Sequence, residues 1–276
     1  MAYDYKNAIE DVINYYNGDS LQKRFSALIT GESNAGKTYM LRTCRMPLHV
    51  DSFDPGGTKS IRDLIRTKDN PTGQVIADTR WEDEDPYSPK AFALWKKAID
   101  LRLHIGYFNA FGTYVLDSAT SFGDAIINDV MGGKGRAGEV PQHRSDYNPQ
   151  KVEMTNYIKK LMRIPCDFIM TGHLREIKKL ISLDTKTGIA REEIKYRFYT
   201  TGQAVITIPL LFDEIYVIIG EEGSSGTKRK MLMDASGTYM ARSRLKLTGL
   251  LNATEEPNIK ALLKKVGLNW EDKPKL

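Results

Sequence analysis

The chain has 276 residues, of which 41% are hydrophobic and 27% are charged, and its formal net charge at pH 7 is +5. This size and composition are typical of a globular protein with one large core. No apolar run has the length of a membrane span, and residues 1–6 lack the apolar centre of a signal peptide, so we expect a cytoplasmic protein with no membrane partner. Cys44 and Cys166 lack metal-ligand spacing and are expected to be reduced core thiols.

The first half of the chain alternates between predicted strands and predicted helices. Residues 3–17 have apolar side chains at helical spacing, which predicts an amphipathic helix packed on the core. Strands are predicted at 25–29, 48–52, 74–78, 114–117 and 166–173, and helices at 58–67, 89–105 and 151–163. This alternation predicts an α/β fold with a mostly parallel central sheet and helices on both faces.

Later segments predict an antiparallel addition to that sheet. Residues 123–150 are polar and rich in glycine and predict a flexible, basic loop. A hairpin is predicted from 177–183 and 189–199, core strands at 205–208 and 213–219, and an antiparallel edge from 228–234 and 239–244. A short helix at 258–266 precedes a polar tail that we expect to fray. The predicted units are an N-terminal helical extension (1–20), a main domain (21–250) and a C-terminal helix and tail (251–276).

The most informative motif is G-x-x-x-x-G-K-[ST] at residues 31–38, between a predicted strand and a predicted helix. Its glycines allow a tight turn, and successive N–H groups then face a phosphate anion. Lys37 is expected to reach the β- and γ-phosphates and the Thr38 hydroxyl to bind Mg²⁺. The residues predicted to contact the nucleotide are Gly31, Glu32, Ser33, Asn34, Ala35, Gly36, Lys37, Thr38 and Tyr39.

Carboxylates at the ends of predicted strands are candidates for the metal and for the attacking water. Asp117 closes a hydrophobic strand and is expected to bind Mg²⁺ with Thr38, although a solvated aspartate is the alternative. Asp54, Asp51 and Glu82 are candidates to orient water. We prefer Asp54, which stands at a strand end, but a turn-forming aspartate would give the same pattern.

Three further side chains are candidate catalytic residues. His173 follows a core strand, where it would sense the γ-phosphate or simply hydrogen-bond within the structure. Arg242 and Arg244 are two residues apart and share a face if they lie on a strand. They would complete the phosphate site of a neighbouring subunit, or they are solvated edge residues.

Basic residues cluster in the predicted loop and hairpin. On successive strand ends they would line one surface and contact nucleic-acid phosphates, and neighbouring tyrosines would stack on bases. A solvated charged face is the alternative reading. The candidate DNA-binding residues are Lys134, Arg136, Arg144, Lys178 and Lys179.

The motif order resembles that of the RecA-type recombinase ATPases. The resemblance rests on residues 31–38, on the strand end at 115–118, on the flexible segment after it and on His173. It is strongest to the compact phage ATPases of the Sak-type single-strand annealing group, and the Arg242-x-Arg244 pair resembles the basic fingers of RecA-fold ring helicases. The resemblance implies a RecA-like P-loop core, the cofactors ATP and Mg²⁺, single-stranded DNA and a homo-oligomeric ring or filament. A single-strand DNA-binding protein is a further candidate partner, and the host cytoplasm the expected location.

We therefore expect an ATPase that acts in DNA recombination or single-strand annealing. A helicase or translocase is an alternative. RecA proteins place a catalytic glutamate two residues after a strand aspartate, but here Ser52 and Phe53 follow Asp51. This departure favours another alternative, a nucleotide-gated scaffold with little hydrolysis. A small-molecule kinase remains a third alternative.

Overall fold

The computed structural model describes residues 4–18, 24–142, 144–183, 190–200, 204–223 and 226–276. The strands in this part of the chain are β1 Ser26–Gly31, β2 Leu48–Ser52, β3 Val75–Asp78, β4 Thr113–Asp117, β5 Asp167–Leu183, β6 Ala190–Phe198, β7 Glu214–Gly223, β8 Gly226–Leu232, β9 Arg242–Ser243 and β10 Thr254–Glu255.

The α-helices are α1 Tyr5–Gly18, α2 Lys37–Met40, α3 Ala91–His104, α4 Ala119–Gly133, α5 Tyr147–Leu161, α6 Ala204–Thr207 and α7 Ile259–Lys265. Short 3-10 helices lie at Leu41–Thr43, Gly57–Leu64, Tyr107–Ala110, Pro209–Leu211 and Leu245–Thr248. Within the described ranges, no helix combines the length and the apolar character needed to cross a bilayer.

The strands form one mixed sheet in the order β10-β8-β7-β1-β5-β4-β2-β3. The central strands β7, β1, β5, β4, β2 and β3 are parallel to their neighbours, whereas β8, β9 and β10 join antiparallel. Strand β5 continues beyond the sheet and pairs antiparallel with β6 as a hairpin. The predicted α/β class, with its mostly parallel sheet and antiparallel hairpin, is confirmed. The carboxyl ends of the parallel strands meet at one edge of the sheet, where ligands of such folds bind.

Two apolar cores cover the two faces of the sheet. Leu28 of β1 lies in the core formed with α3, α4 and α5, and Ala27 and Ile29 lie in the opposite core with α2 and α7. This alternation along one strand follows from the two-residue repeat of β-structure. Cys44 and Cys166 are free and buried, as predicted, and burial raises the pKa of the Cys166 thiol to about 12.

The segment 123–150 is mostly helical rather than a long loop. Ser118 caps α4, and its hydroxyl accepts a hydrogen bond from the Ser121 N–H at 3.5 Å. Phe122, Ile126 and Met131 of this helix are buried in the core. The glycines after Met131 suggested a loop, but the apolar spacing before them favours helix. Only residues 134–146 connect α4 to α5.

Two predicted strand segments have a different structure. Residues 204–207 form α6, which Pro209 follows at the start of a 3-10 helix, so the predicted strand at 205–208 is wrong. A short apolar run does not distinguish a buried strand from a buried helix. The predicted pairing of 228–234 with 239–244 is also wrong, because β8 pairs with β7 and β10, and β9 pairs with β7.

Both ends of the described chain differ from expectation. The predicted N-terminal helix is confirmed as α1, but none of its residues is buried, so its packing on the core is wrong. The C-terminal tail is held in place instead of fraying. The Lys273 N–H donates to the Met46 carbonyl at 2.8 Å, and the Met46 N–H donates to Asp272 Oδ1 at 2.7 Å. The tail therefore lies against the segment that enters β2, at the amino ends of the parallel strands.

Candidate nucleotide-binding site

Two glycines, Gly31 and Gly36, shape the backbone of the loop between β1 and α2. A Cβ atom at Gly31 would lie 2.8 Å from the Ile218 carbonyl of the neighbouring strand β7. Gly36 has φ +95°, a left-handed conformation that other residues rarely adopt. The turn is closed by the Ala35 N–H, which donates to the Glu32 carbonyl at 3.2 Å. The glycine positions of the motif thus correspond to a close approach and a special dihedral angle.

Lys37 lies on the inner side of this loop. Its ammonium donates to the carbonyls of Gly31 at 3.1 Å and Glu32 at 2.8 Å, and the residue is 7% exposed. Burial lowers the pKa of Lys37, while the charges of Asp117 and Asp54 oppose that shift. A buried ammonium whose hydrogen-bond acceptors are loop carbonyls fits a site that receives an anion.

Thr38 and Asp117, the two predicted magnesium ligands, are in direct contact. The Thr38 hydroxyl donates to Asp117 Oδ2 at 2.9 Å, and the Thr171 hydroxyl donates to Asp117 Oδ1. Burial raises the pKa of Asp117, although these two hydrogen bonds act in the opposite direction. A hydroxyl and a carboxylate are hard oxygen donors of the kind Mg²⁺ prefers, and Mg²⁺ is usually held by one or two protein oxygens together with phosphates. The donor set therefore fits the ion.

The sheet order explains why these residues meet. Strand β5 lies between β1 and β4, so Thr171 near the end of its core portion stands between the loop and Asp117. Thr171 was missed in the sequence because a threonine in a buried strand carries no distinctive signal. Only the strand order, which the linear pattern does not give, identifies it.

Asp54 lies beside this metal corner and is held by three donors. Its Oδ1 accepts hydrogen bonds from Ser118 Oγ at 2.9 Å and from Ser121 Oγ, and its Oδ2 lies 3.2 Å from His173 Nε2. Burial alone would raise the pKa of Asp54, but the hydrogen bonds from His173, Ser121 and Ser118 outweigh it and hold the pKa below its usual value. Asp54 is therefore an ionised carboxylate in the cleft.

The other two candidates for the water-orienting role occupy different environments. Asp51 is fully buried and accepts hydrogen bonds from five side chains: His49, Trp81, Trp95, Arg102 and Tyr114. Glu82 Oε2 accepts from the Gly56 N–H at 2.8 Å and so supports the loop after Asp54. Of these three carboxylates, only Asp54 lines the cleft beside the loop.

The cleft has a volume of about 810 Å³, which is sufficient for a nucleoside triphosphate. One wall is the loop with Tyr39, and the opposite wall is the turn after β2 with its 3-10 helix. Its lining residues are Ser33, Asn34, Gly36, Lys37, Thr38, Tyr39, Asp54, Pro55, Gly56, Gly57, Lys59, Ser60, Asp117, His173 and Arg229. Two of its cations, Lys59 and Arg229, were not predicted from the sequence.

Arg242 and Arg244 lie far along the sheet from this cleft. Strand β9 pairs with the first residues of β7, whereas the loop follows the end of β1, which pairs with Ile218 further along β7. Arg242 donates to the Phe212 carbonyl, and Arg244 forms an ion pair with Asp213 at 2.6 Å. Neither residue lines the nucleotide cleft of its own chain, and their role towards a neighbour stays a prediction.

The predicted DNA-binding residues are dispersed. Lys134 and Arg136 both pair with Asp146, at 2.6 and 3.1 Å, and thereby fasten the loop between α4 and α5. Arg144 is exposed in that loop, and Lys178 is exposed on the hairpin. The side chain of Lys179 lies outside the described part of the structure, as do the residues of the predicted hairpin turn at 184–189.

Fold and site together define a P-loop nucleotide-binding domain with a mostly parallel α/β core. The chain belongs to the AAA_24 family, described as an AAA domain, whose model matches residues 23–245. This family is one of P-loop ATPase domains, so the prediction is confirmed as far as a P-loop NTPase domain. A comparison with curated proteins found no significant match.

Solved structures with a similar fold include two archaeal proteins. The KaiC-like protein PH0186 from Pyrococcus horikoshii OT3 is 11% identical, with a TM-score of 0.39 over 75% of this chain and 77% of that chain. The flagellar accessory protein FlaH from Methanocaldococcus jannaschii is 13% identical, with a TM-score of 0.40 over 75% of this chain and 76% of that chain. Both likenesses are distant, and nothing about function follows from either.

Proposed function

We propose that this protein binds and hydrolyses Mg-ATP and uses the nucleotide state to act on DNA, in recombination or single-strand annealing of the phage type. The observation that carries the nucleotide part is the 2.9 Å hydrogen bond between Thr38 and Asp117 beside the buried Lys37. Lys37 and Thr38 lie at the start of α2, whereas Asp117 ends β4, and a phosphate-binding function explains why they converge at one loop.

The arrangement of side chains supports hydrolysis by orientation of water. Asp54 is ionised and held by Ser118, Ser121 and His173, so it can accept a hydrogen bond from a water placed against the γ-phosphate. Because its pKa lies below the usual value, it orients the water better than it removes a proton. Lys37 would neutralise charge on the β- and γ-phosphates, and Thr38 and Asp117 would hold Mg²⁺, which supplies further charge neutralisation when bound.

The coupling to DNA is supported by strand β5, which continues from the cleft into the hairpin. His173 on this strand contacts Asp54, and the next residue, Leu174, begins the pairing with β6. A change of contacts at the γ-phosphate would therefore shift His173, and with it the residues where the β5–β6 hairpin begins.

One face of the hairpin is rich in positive charge. Arg175 lies opposite Arg197, and Ile177 lies opposite Lys195, and directly opposed residues of an antiparallel pair share a face. Three cations on one face suit contact with a phosphate backbone. Lys195 also pairs with Glu193 at 2.9 Å, as Lys178 on the other face pairs with Glu176 at 3.4 Å. We assign the DNA contact to the face of Arg175 because that face carries three cations.

A homo-oligomeric ring or filament would bring a second chain to the nucleotide. Arg244 is 65% exposed at the amino edge of the sheet, away from the cleft of its own chain. In a head-to-tail assembly this edge would approach the cleft of the next chain, and Arg242 or Arg244 would reach that chain's phosphates.

The test is the ATPase rate of the full chain with and without single-stranded DNA. The wild type is expected to release phosphate faster with DNA, and Lys37→Ala is expected to abolish both rates. A double variant, Arg175→Ala with Lys195→Ala, should lose the DNA stimulation but retain the basal rate. An unchanged rate in Lys37→Ala would refute the nucleotide assignment, and stimulation that survives the double variant would refute the assignment of the hairpin.

A nucleotide-gated scaffold is the second candidate. It is favoured by the hydrogen bonds that already occupy Asp54, because a carboxylate with three donors has less capacity for a water. ATP-dependent DNA binding without measurable phosphate release would select this candidate over hydrolysis.

A further inference from the structure

Arg229 enters the cleft from an unexpected part of the chain. It lies on β8, opposite Gly220 of β7, and its side chain lines the cleft beside the phosphate loop. Its neighbours on the strand face the other way, since Lys228 lies opposite Glu221 and Lys230 pairs with Glu221 at 2.6 Å. Strand alternation therefore directs one cation of three towards the nucleotide site.

The Arg229 side chain packs directly on the loop. A Cβ atom added to Gly36 would lie 2.7 Å from both Cδ and Nε of Arg229. The guanidinium group thus occupies the space beside the N–H groups that would face a phosphate chain. The lack of a side chain at Gly36 allows this contact as well as the positive φ angle.

The charges in the cleft indicate that an anionic ligand would pair with the Arg229 guanidinium. Among the described residues, the guanidinium of Arg229 has no hydrogen bond or ion pair, although Lys37 is held by loop carbonyls and Asp54 and Asp117 are hydrogen-bonded. A triphosphate carries more negative charge than Lys37 and one Mg²⁺ neutralise. A planar guanidinium at the loop would donate two parallel hydrogen bonds to phosphate oxygens.

We propose that Arg229 is a phosphate-binding residue of the nucleotide site in its own chain. This inference rests on the proposed Mg-ATP function and adds the residue that completes the cationic side of the site. Arg242 and Arg244 would act on a neighbour, whereas Arg229 acts before any neighbour arrives. The cations assigned to the phosphates within one chain are then Lys37 and Arg229.

The test is equilibrium binding of a fluorescent ATP analogue in Mg²⁺ to the full chain and its variants. Arg229→Ala is expected to weaken binding about tenfold to a hundredfold, the effect of losing charge-assisted hydrogen bonds. Arg229→Lys should recover part of the loss, because it keeps the charge but not the planar fork. Lys228→Ala, the matched control on the same strand, should bind as the wild type does. Equal affinities for Arg229→Ala and Lys228→Ala would overturn the proposal.

A second experiment separates a same-chain role from a role towards a neighbour. Lys37→Ala and Arg229→Ala chains with different affinity tags are co-expressed and purified through both tags. If Arg229 served a neighbour, the mixed assemblies would regain tight binding, because one chain would supply the arginine and the other the loop. We expect no recovery. If the chains do not co-purify, they do not assemble, and the Arg229→Ala defect is a same-chain effect.

The proposed function fails separately from this inference. If Lys37→Ala leaves binding of the analogue unchanged, the nucleotide assignment itself is wrong. If Lys37→Ala weakens binding and Arg229→Ala does not, only the role of Arg229 is wrong.

Discussion

Substitution of Asp54 by asparagine separates catalysis from binding at this site. The change removes one negative charge and keeps the side-chain shape. The amide oxygen of the substituted side chain would still accept from Ser118 and Ser121, which now donate to Asp54 Oδ1. The new amide nitrogen would donate to His173 Nε2, now 3.2 Å from Asp54 Oδ2, once the imidazole takes the tautomer with its proton on Nδ1. The fold should therefore be retained within about 1 kcal/mol.

The expected loss is in the turnover number. An oriented carboxylate that acts on the attacking water contributes roughly 10²- to 10⁴-fold, so kcat should fall by about that factor. ATP affinity should stay the same or increase slightly, because a negative charge near the triphosphate is removed. Asp63→Asn is the control, since Asp63 is an exposed aspartate on the nearby 3-10 helix.

The assay is phosphate release at saturating ATP, together with binding of a non-hydrolysable analogue. If Asp54→Asn retains most of the wild-type kcat, Asp54 does not orient the water. If affinity falls in parallel with the rate, Asp54 belongs to the binding site and the catalytic reasoning fails.

Three further changes test other parts of the structure. Thr38→Ala should abolish the Mg²⁺ dependence of ATP binding, measured by titration with and without Mg²⁺; retained dependence would contradict the metal assignment. Asp51→Ala removes the acceptor of two indole N–H groups and of Arg102 Nη1, although Arg102 Nη2 still donates to Asp78. Urea denaturation should therefore show a loss of about 3–5 kcal/mol, and a loss below about 1 kcal/mol would contradict the importance of that network. Asp272→Ala removes the acceptor of the Met46 N–H and should cost about 1–2 kcal/mol, whereas Lys275→Ala should cost nothing; equal stabilities would contradict the docking of the tail.

The local pattern predicted most of the parallel core. β2 has the predicted bounds, and the predicted helix at 89–105 corresponds to α3, because strong apolar periodicity is itself the signal. The errors lie where the local sequence fits more than one structure. The short apolar run before Pro209 was predicted as a strand and is a helix. The glycines after Met131 predicted a loop, although the residues before them form a helix whose apolar face is buried.

The site could be predicted only where a motif is contiguous in the chain. Residues 31–38 identify the loop, and a strand-end carboxylate was enough to suggest Asp117. Thr171 and Arg229 reach the site through strand order and through the β7–β8 pairing, which no linear pattern near them reveals. The buried position of Asp51 likewise depends on α3 and on the loop carrying Trp81, which are distant in sequence.

The most direct test of the central claim is the position of the metal in a crystal grown with a non-hydrolysable ATP analogue and Mn²⁺. The anomalous signal of Mn²⁺ should lie between Thr38 Oγ1 and the Asp117 carboxylate, within about 2–2.5 Å of Thr38 Oγ1, with the β- and γ-phosphates beside Lys37. A signal away from this pair, or a nucleotide bound outside the loop at residues 31–38, would contradict the account.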